Sequence, residues 1–273
     1  MPKLTTPDRV NLNYTDIGSG RPIVMIHGWP LSGAAFADNA KVLAAAGYRV
    51  ITYDRRGFGQ SGKPRDGYDY DTLAADLDAL LTGLDLHDVV LLGFSMGGGE
   101  VARYLATRGS GRVGAAILSG SICPALCITK DNPDGAMPRE GFQELADACA
   151  ADHAGFVDQF CGWFYSNDQG LTVPEEVRQQ AVEIARQSAP HAAVATILTW
   201  TEDLREDCRR IDVPLLVIHG DGDQNVPLAK SSARMPEYAQ QAQLVVIEGG
   251  PHGINVSHAD QWNAAILSFL AGS

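Results

Sequence analysis

The sequence has little positive charge and no long apolar run. Its 273 residues include 21 Lys and Arg against 33 Asp and Glu, a net charge of −12. A protein that follows phosphate groups needs clustered cations, so this balance argues against nucleic acid and anionic membranes as partners. No run approaches the roughly 18 apolar residues of a membrane span, and residues 1–20 lack the apolar segment of a secretory signal. We therefore predict a soluble, cytoplasmic protein.

The sequence also lacks the spacings typical of metal, disulfide and nucleotide sites. Its five cysteines include no C-x-x-C pair, and its seven histidines include no H-x-x-x-H or H-E-x-x-H pair. The glycine-rich string at residues 57–62 partly matches a phosphate-binding loop. However, Pro64 stands where that loop needs Ser or Thr, and proline has no N–H to offer a phosphate. We expect buried free thiols, no metal and no cofactor.

What the sequence does contain is an alternation of short apolar runs with longer helical patterns. The runs predict strands at residues 10–16, 22–27, 48–53, 88–94, 113–119, 213–219 and 242–248. Several are apolar at consecutive positions, which is typical of strands buried on both faces of a parallel sheet. Helical patterns lie between them, at residues 34–46, 71–84 and 96–108. The alternation predicts an α/β fold with a mostly parallel central sheet flanked by helices.

One long segment interrupts this alternation. Residues 123–208 carry helical patterns and no convincing strand, and a segment of this length is too long for a simple loop. We predict that it forms a helical cap over the carboxyl edge of the sheet, where open α/β sheets place their ligands. Residues 1–122 and 209–273 are then the two parts of one catalytic core domain.

A G-x-S-x-G string follows the fourth predicted strand. Ser95 is at its centre, and a helical pattern begins at Met96. In such a strand–turn–helix the serine hydroxyl stands clear of a strained backbone, so Ser95 is the predicted nucleophile. The backbone N–H of Met96 lies at a helix N-terminus, where the dipole favours developing negative charge, and is a predicted oxyanion donor.

A serine nucleophile needs a histidine base and a carboxylate that orients it. On this fold the acid comes before the histidine in the chain. Asp221 and Asp223 both follow the sixth predicted strand; we favour Asp223, which is further along the loop, and assign Asp221 to the turn. His252 follows the seventh strand on a loop rich in Gly and Pro and is the predicted base, whereas His258 falls within the last helical pattern.

The second oxyanion donor should come from the loop after an early strand. Trp29 is the expected donor there, because the following Pro30 has no N–H. His27, on the same loop, is expected to have a structural role. Six apolar residues are candidates to shape the acyl and alcohol pockets: Phe94, Phe160, Trp163, Trp200, Val226 and Ile254.

Several strings together carry a resemblance to a known family. They are HGWP at residues 27–30, YDRRGFGQS at 53–61, GFSMGGGEVARY at 93–104, DNPDG at 131–135 and GDGDQNVP at 220–227. The chain resembles, over nearly all of its length, the cofactor-free bacterial haloperoxidases and their aryl-esterase relatives in the α/β-hydrolase superfamily. The resemblance implies Ser95, Asp223 and His252 as the triad, Trp29 and Met96 as oxyanion donors, and no haem, vanadium or other metal.

The resemblance also implies a chemistry. Family members are understood to form a peracid on the serine from a carboxylic acid and hydrogen peroxide, so their own reaction is acyl transfer. We expect a hydrolase of small carboxylic esters, with water or hydrogen peroxide as acyl acceptor. A γ-lactam or other amide hydrolase on the same triad is the alternative, and a non-catalytic binding protein of this fold is less favoured. Family members are often oligomeric, so a homo-oligomer stays open.

Overall fold

The computed structural model describes residues 2–272 of the chain. Its strands are β1 (Lys3–Thr5), β2 (Asn11–Gly18), β3 (Pro22–Ile26), β4 (Arg49–Tyr53), β5 (Val89–Phe94), β6 (Val113–Ser119), β7 (Cys127–Ile128), β8 (Met137–Pro138), β9 (Ser166–Asn167), β10 (Gly170–Leu171), β11 (Leu215–Gly220) and β12 (Ala242–Ile247). Eight of them form one sheet in the order β1-β2-β4-β3-β5-β6-β11-β12.

The sheet is mostly parallel, which confirms the predicted fold. Strands β4, β3, β5, β6, β11 and β12 pair in parallel, whereas β2 is antiparallel to β4 and β1 is antiparallel to β2. Strands β5 and β11 are buried at every position, as expected from their unbroken apolar runs. Strand β1 was not predicted, because its three residues carry no apolar run and depend on pairing with β2.

Helices cover the sheet. They are α1 (Ala37–Ala45), α2 (Tyr70–Gly83), α3 (Met96–Arg108), α4 (Arg139–Ala151), α5 (His153–Phe164), α6 (Glu175–Ala185), α7 (Pro190–Thr199), α8 (Arg205–Arg209), α9 (Ile254–Ser257) and α10 (Ala259–Leu270). Helix α1 packs against β2 and β4 and contacts α10, while α3 packs against β5 and β6 and contacts α2 and α8. None of the helices in residues 2–272 has the length and apolar character needed to cross a membrane.

The segment between β6 and β11 is mainly helical. It contains α4 to α8, together with two short strand pairs, β7 with β8 and β9 with β10. The sequence analysis saw no strand here, because each of these strands has only two residues and exists through its partner. The division into a cap at residues 123–208 and a core of residues 1–122 and 209–273 stays a prediction.

Candidate active site

Ser95 lies at a strained turn between β5 and α3. Its backbone has φ of 55° and ψ of −119°, a left-handed conformation that costs energy for a residue with a side chain. Glycines on either side permit this turn. A Cβ on Gly93 would overlap the backbone of Gly97, and a Cβ on Gly97 would overlap the carbonyl of Ile26 in β3. The close approach of strand and helix therefore requires glycine at both positions.

Ser95, His252 and Asp223 form one chain of hydrogen bonds. The Oγ of Ser95 lies 2.9 Å from Nε2 of His252, and Nδ1 of His252 lies 2.6 Å from Oδ2 of Asp223. All three side chains are buried. Because an ionised carboxylate can only accept, Nδ1 of His252 carries the hydrogen and donates it to Asp223. Nε2 is then free to accept the hydroxyl hydrogen of Ser95.

Asp223 has more partners than the sequence indicates. Its Oδ1 accepts hydrogen bonds from the backbone N–H groups of Asn225, at 2.9 Å, and Val226, at 2.8 Å. Its Oδ2 lies 3.1 Å from Nε2 of His219. Burial alone would raise the pKa of Asp223. The charge of His252 and hydrogen bonds from His219 and His252 outweigh it and hold that pKa well below its usual range. Asp223 is therefore a stable anion beneath His252.

His219 is the site residue that the sequence analysis missed. It lies in β11, with Nε2 2.8 Å from the carbonyl oxygen of Val226 and Nδ1 2.7 Å from Oγ of Ser232. Since a carbonyl oxygen only accepts, Nε2 carries the hydrogen and can share it between Val226 and Asp223. The sequence did contain a signal for this contact. His219 lies only four residues before Asp223, in the string HGDGD.

The two residues weighed against Asp223 and His252 lie outside the hydrogen-bond chain of Ser95. They are Asp221 and His258. Asp221 accepts a hydrogen bond of 2.6 Å from the N–H of Gly249 and so ties the loop after β11 to the loop after β12. His258 lies between α9 and α10, with Nδ1 2.9 Å from Oγ of Ser257, and is not inside a helix as we expected. The helical pattern is broken there, and neither residue bonds to Ser95 or His252.

Two free backbone amides lie in the segments next to Ser95. Met96 is the first residue of α3, so its N–H has no acceptor within the helix. The segment of Trp29 also lies close to Ser95. A Cβ added to Gly28, the residue before Trp29, would lie 2.9 Å from Cβ of Ser95. Within the part of the chain that the structure describes, neither the N–H of Met96 nor that of Trp29 donates a hydrogen bond. Both of the predicted oxyanion donors are thus unengaged.

A buried ion pair holds the loop of Trp29. Arg55 pairs with Glu100, and both side chains are 1% exposed. The Nη2 of Arg55 donates to the carbonyl of His27 at 2.7 Å, and its backbone N–H donates to Nε2 of His27 at 3.0 Å. Burial and the charge of Arg55 lower the pKa of His27 well below its usual value, so this ring is neutral. Its Nδ1 donates to Gly28, in keeping with the structural role expected of it.

A cavity of about 280 Å³ opens at Ser95. It is lined by residues that are mostly apolar or aromatic: Trp29, Ser95, Ile122, Leu126, Ala136, Met137, Phe142, Leu145, Phe156, Phe160, Trp163, Trp200, Gln224, Asn225, Val226 and His252. None of these lining residues is Lys, Arg, Asp or Glu. Most come from the segment between β6 and β11, so the helices of that segment form much of the cavity wall.

Four of the six predicted pocket residues line this cavity, namely Phe160, Trp163, Trp200 and Val226. Phe94 and Ile254 are not among the residues that line it. The ring of Phe94 packs against the ring of His252, with centroids 5.2 Å apart, and the N–H of Ile254 donates to the carbonyl of His252. Both side chains are buried and contribute contacts to His252.

The sequence matches one family over most of its length. The profile described as alpha/beta hydrolase fold matches residues 21–259. The chain belongs to the alpha/beta hydrolase family. This agrees with the parallel sheet, the strained turn at Ser95 and the cavity above it.

Individual relatives of this alpha/beta hydrolase cover nearly its whole length. A non-heme chloroperoxidase of Kitasatospora aureofaciens is 41% identical, over 99% of each chain. A bifunctional esterase/perhydrolase of Acinetobacter calcoaceticus is 33% identical, over 98% of each chain. Among solved structures, the bromoperoxidase of Bacillus anthracis has a TM-score of 0.96 at 39% identity, over 99% of each chain. The family resemblance expected from the sequence strings is thus confirmed.

In this alpha/beta hydrolase, aromatic rings of the segment between β6 and β11 pack around Trp29. Trp29 meets Phe156, Phe160 and Trp200 edge to face, with centroids 4.6 to 5.9 Å apart. The N–H of Gly253, next to His252, donates to the carbonyl of Phe164 at 2.7 Å.

Across residues 2–272, no group of three or more His, Cys, Asp or Glu side chains is placed to hold a metal ion.

Proposed function

We propose that this alpha/beta hydrolase cleaves small carboxylic esters through an acyl-enzyme on Ser95. The observation that carries the proposal is the buried hydrogen-bond chain from Ser95 through His252 to Asp223, which ends at the cavity. A hydroxyl attacks a carbonyl well only when a base removes its proton, and His252 lies within reach to do so. The esterase activity in the name of the Acinetobacter relative supports the same reading.

In the first half-reaction, Oγ of Ser95 attacks the ester carbonyl while Nε2 of His252 takes the hydroxyl proton. Asp223 keeps the imidazole in the correct tautomer and stabilises the imidazolium that forms. The carbonyl oxygen becomes an oxyanion, which the N–H groups of Trp29 and Met96 are proposed to bind. His252 then gives its proton to the leaving alcohol, and the acyl group stays on Ser95.

In the second half-reaction, an acyl acceptor replaces the alcohol. Water gives the carboxylic acid, and hydrogen peroxide gives a peracid; in either case His252 takes a proton from the acceptor and returns it to Ser95. We propose that this chain can use both acceptors. The perhydrolase and chloroperoxidase names of two relatives with nearly full coverage support this, since they fit a peracid that oxidises halide in solution.

The helical segment at residues 123–208 is proposed to act as the cap of this site. Its residues supply most of the cavity lining, including Phe142, Phe156 and Phe160. The lack of charge among the lining residues favours a neutral ester, or a carboxylic acid in its neutral form, as the small-molecule substrate.

Turnover of p-nitrophenyl acetate by wild type and Ser95→Ala tests the central claim. We expect the substitution to lower kcat by about five to six orders of magnitude, because attack and proton transfer act as one unit. A fluorophosphonate should label wild type at one serine and leave Ser95→Ala unlabelled. Undiminished turnover by Ser95→Ala would refute the ester mechanism, and an inert Ser95 in wild type would favour a non-catalytic protein. Acetate and peroxide with a halide acceptor test perhydrolysis.

A further inference from the structure

Two buried polar atoms of the described chain have no hydrogen-bond partner. They are Nε1 of Trp200 and Oδ1 of Asn225, and both residues line the cavity of Ser95. Proteins pair nearly all of their buried polar atoms, so each exception requires an explanation. Two exceptions that line the same cavity suggest one explanation, which is a ligand that supplies the missing partners.

The other tryptophans of this chain show that Trp200 is exceptional. Nε1 of Trp29 donates to the carbonyl of Ala193 at 3.0 Å, and Nε1 of Trp262 donates to Oγ of Ser119 at 2.8 Å. The fourth, Trp163, has a side chain open to solvent. Both of these buried indole N–H groups therefore have an acceptor within the protein, as buried tryptophans usually do. At Trp200 the fold leaves the donor unpaired beside the cavity.

Asn225 is anchored by its backbone, while its side chain is unbonded. The backbone N–H donates to Oδ1 of Asp223 at 2.9 Å, which ties Asn225 to the proposed acid. Its Oδ1 is buried and accepts no hydrogen bond from another described residue. Rotating a carboxamide by half a turn exchanges its oxygen and nitrogen, so this group can present an acceptor or a donor to a ligand.

The residues that line the cavity limit the chemical class of the ligand. No charged side chain lines the cavity, so a charged group would be desolvated there without a counter-charge. The rings of Trp29 and Trp200 lie 5.3 Å apart, edge to face, and make the surroundings apolar. Nε1 of Trp200 needs an acceptor and Oδ1 of Asn225, in its present orientation, needs a donor, so an uncharged group that both accepts and donates hydrogen bonds satisfies the two atoms. An amide does so: its carbonyl can accept from Trp200 and its N–H can donate to Asn225.

We propose that the cavity selects esters that carry an uncharged amide group away from the reacting carbonyl, and that Trp200 and Asn225 recognise that amide. The inference rests on the proposed ester hydrolysis and adds a substrate class to it. Both polar atoms are buried, so recognition requires the Trp200 ring and the Asn225 carboxamide to turn towards the ligand. A site with unpaired polar groups discriminates strongly against a substrate that leaves them unpaired.

A matched pair of substrates tests this selection. Methyl N-acetylglycinate and methyl pentanoate have acyl chains of equal length, and only the first carries an amide. Acid release is followed by titration, and each kcat/KM is divided by the rate of hydroxide-catalysed hydrolysis of the same ester. We expect wild type to favour the amide ester by at least about tenfold. Trp200→Phe and Asn225→Leu should each lower that preference by about tenfold.

Trp163→Phe is the control, because it makes the same chemical change at another tryptophan of the cavity, one whose side chain is open to solvent. It should leave the preference unchanged. A wild-type preference near one, or a preference that survives both Trp200→Phe and Asn225→Leu, would overturn the inference. Ser95→Ala distinguishes a failure of the proposed amide selection from a failure of the proposed ester hydrolysis. If it abolishes turnover of both esters while wild type shows no preference, only the selection is wrong, and if it abolishes neither, the proposed function is wrong.

Discussion

The two sides of the cavity are built in different ways. On the sheet side, Ser95, His252 and Asp223 are joined by hydrogen bonds of 2.6 to 2.9 Å, and His219 adds a further donor. On the cap side, rings of α5 and of Trp200 meet Trp29 edge to face, and Trp200 has an unpaired N–H. Hydrogen bonds depend steeply on angle, whereas ring contacts tolerate small shifts. The sheet side can therefore fix the reaction geometry while the cap side adapts to the substrate.

After the loss expected for Ser95→Ala, Asp223→Asn should produce the largest effect, because it acts on the sheet side. An amide at this position can donate to His252 and stabilise the wrong tautomer of the ring, so we expect kcat for p-nitrophenyl acetate to fall by about four orders of magnitude. Asp221→Asn is the matched control two residues earlier, where the carboxylate accepts a hydrogen bond from the N–H of Gly249. Steady-state kinetics of both variants show whether the loss of kcat is specific to Asp223. Equal losses would mean that the loop as a whole, rather than the hydrogen bond to His252, matters.

Gly28→Ala should produce the next largest effect. A Cβ there would lie 2.8 Å from Cδ1 of Phe94 and 2.9 Å from Cβ of Ser95, so the loop of Trp29 must shift. Loss of one oxyanion donor typically costs about two to three orders of magnitude in kcat, and we expect a loss of that size.

Gly162→Ala is the control on the cap side, since a Cβ at this position in α5 meets nothing within 4 Å. Its kinetics should stay close to those of wild type. If Gly162→Ala were as damaging as Gly28→Ala, the contrast between a rigid and an adaptable side would fail.

His219→Leu should have an intermediate effect. A hydrogen bond to a charged group contributes about 1.5–3 kcal/mol, so we expect kcat/KM to fall by about ten- to a hundredfold. Without this donor, the negative charge of Asp223 acts more fully on His252 and favours its protonated form. The acidic limb of the pH profile of kcat/KM should then move to higher pH. His219→Gln, which keeps a donor, should restore part of the loss. An unchanged pH profile in His219→Leu would leave His219 with a packing role only.

The smallest effect concerns the stability of the cap side in acid. Hydrogen bonds from Arg178 and Gln179 lower the pKa of the exposed Glu175 to about 2 from its ordinary value of 4.5. Because the folded-state pKa is depressed, the stabilisation is present above about pH 4.5 and is lost as the pH falls towards 2. Glu175→Gln should therefore lower Tm slightly at neutral pH and match wild type near pH 2. A difference in Tm that grows on acidification would contradict this. Solvent screening keeps the effect small.

Much of the sheet side could be predicted from the sequence. The strand before Ser95, the glycines around it and the helix after it are all local signals, and the structure shows the strained turn that they indicate. Asp223 and His252 were chosen for their loops, and the structure places both in hydrogen-bonding reach of one another. The strand β1 and the two-residue strands β7 to β10 were missed, because each exists only through pairing with a partner.

The sequence by itself determined that the central strands β5 and β11 are buried, where the strained serine turn lies and which loops follow the strand ends. Those features depend on residues close together in the chain. The tertiary structure alone decided that His219 supports Asp223, that Phe94 and Ile254 support His252, and that Trp200 and Asn225 remain unpaired at the cavity. Ser95 and His252 are 157 residues apart. Which side chains face the space between such distant segments depends on how the cap helices pack against the sheet, and no local pattern contains that information.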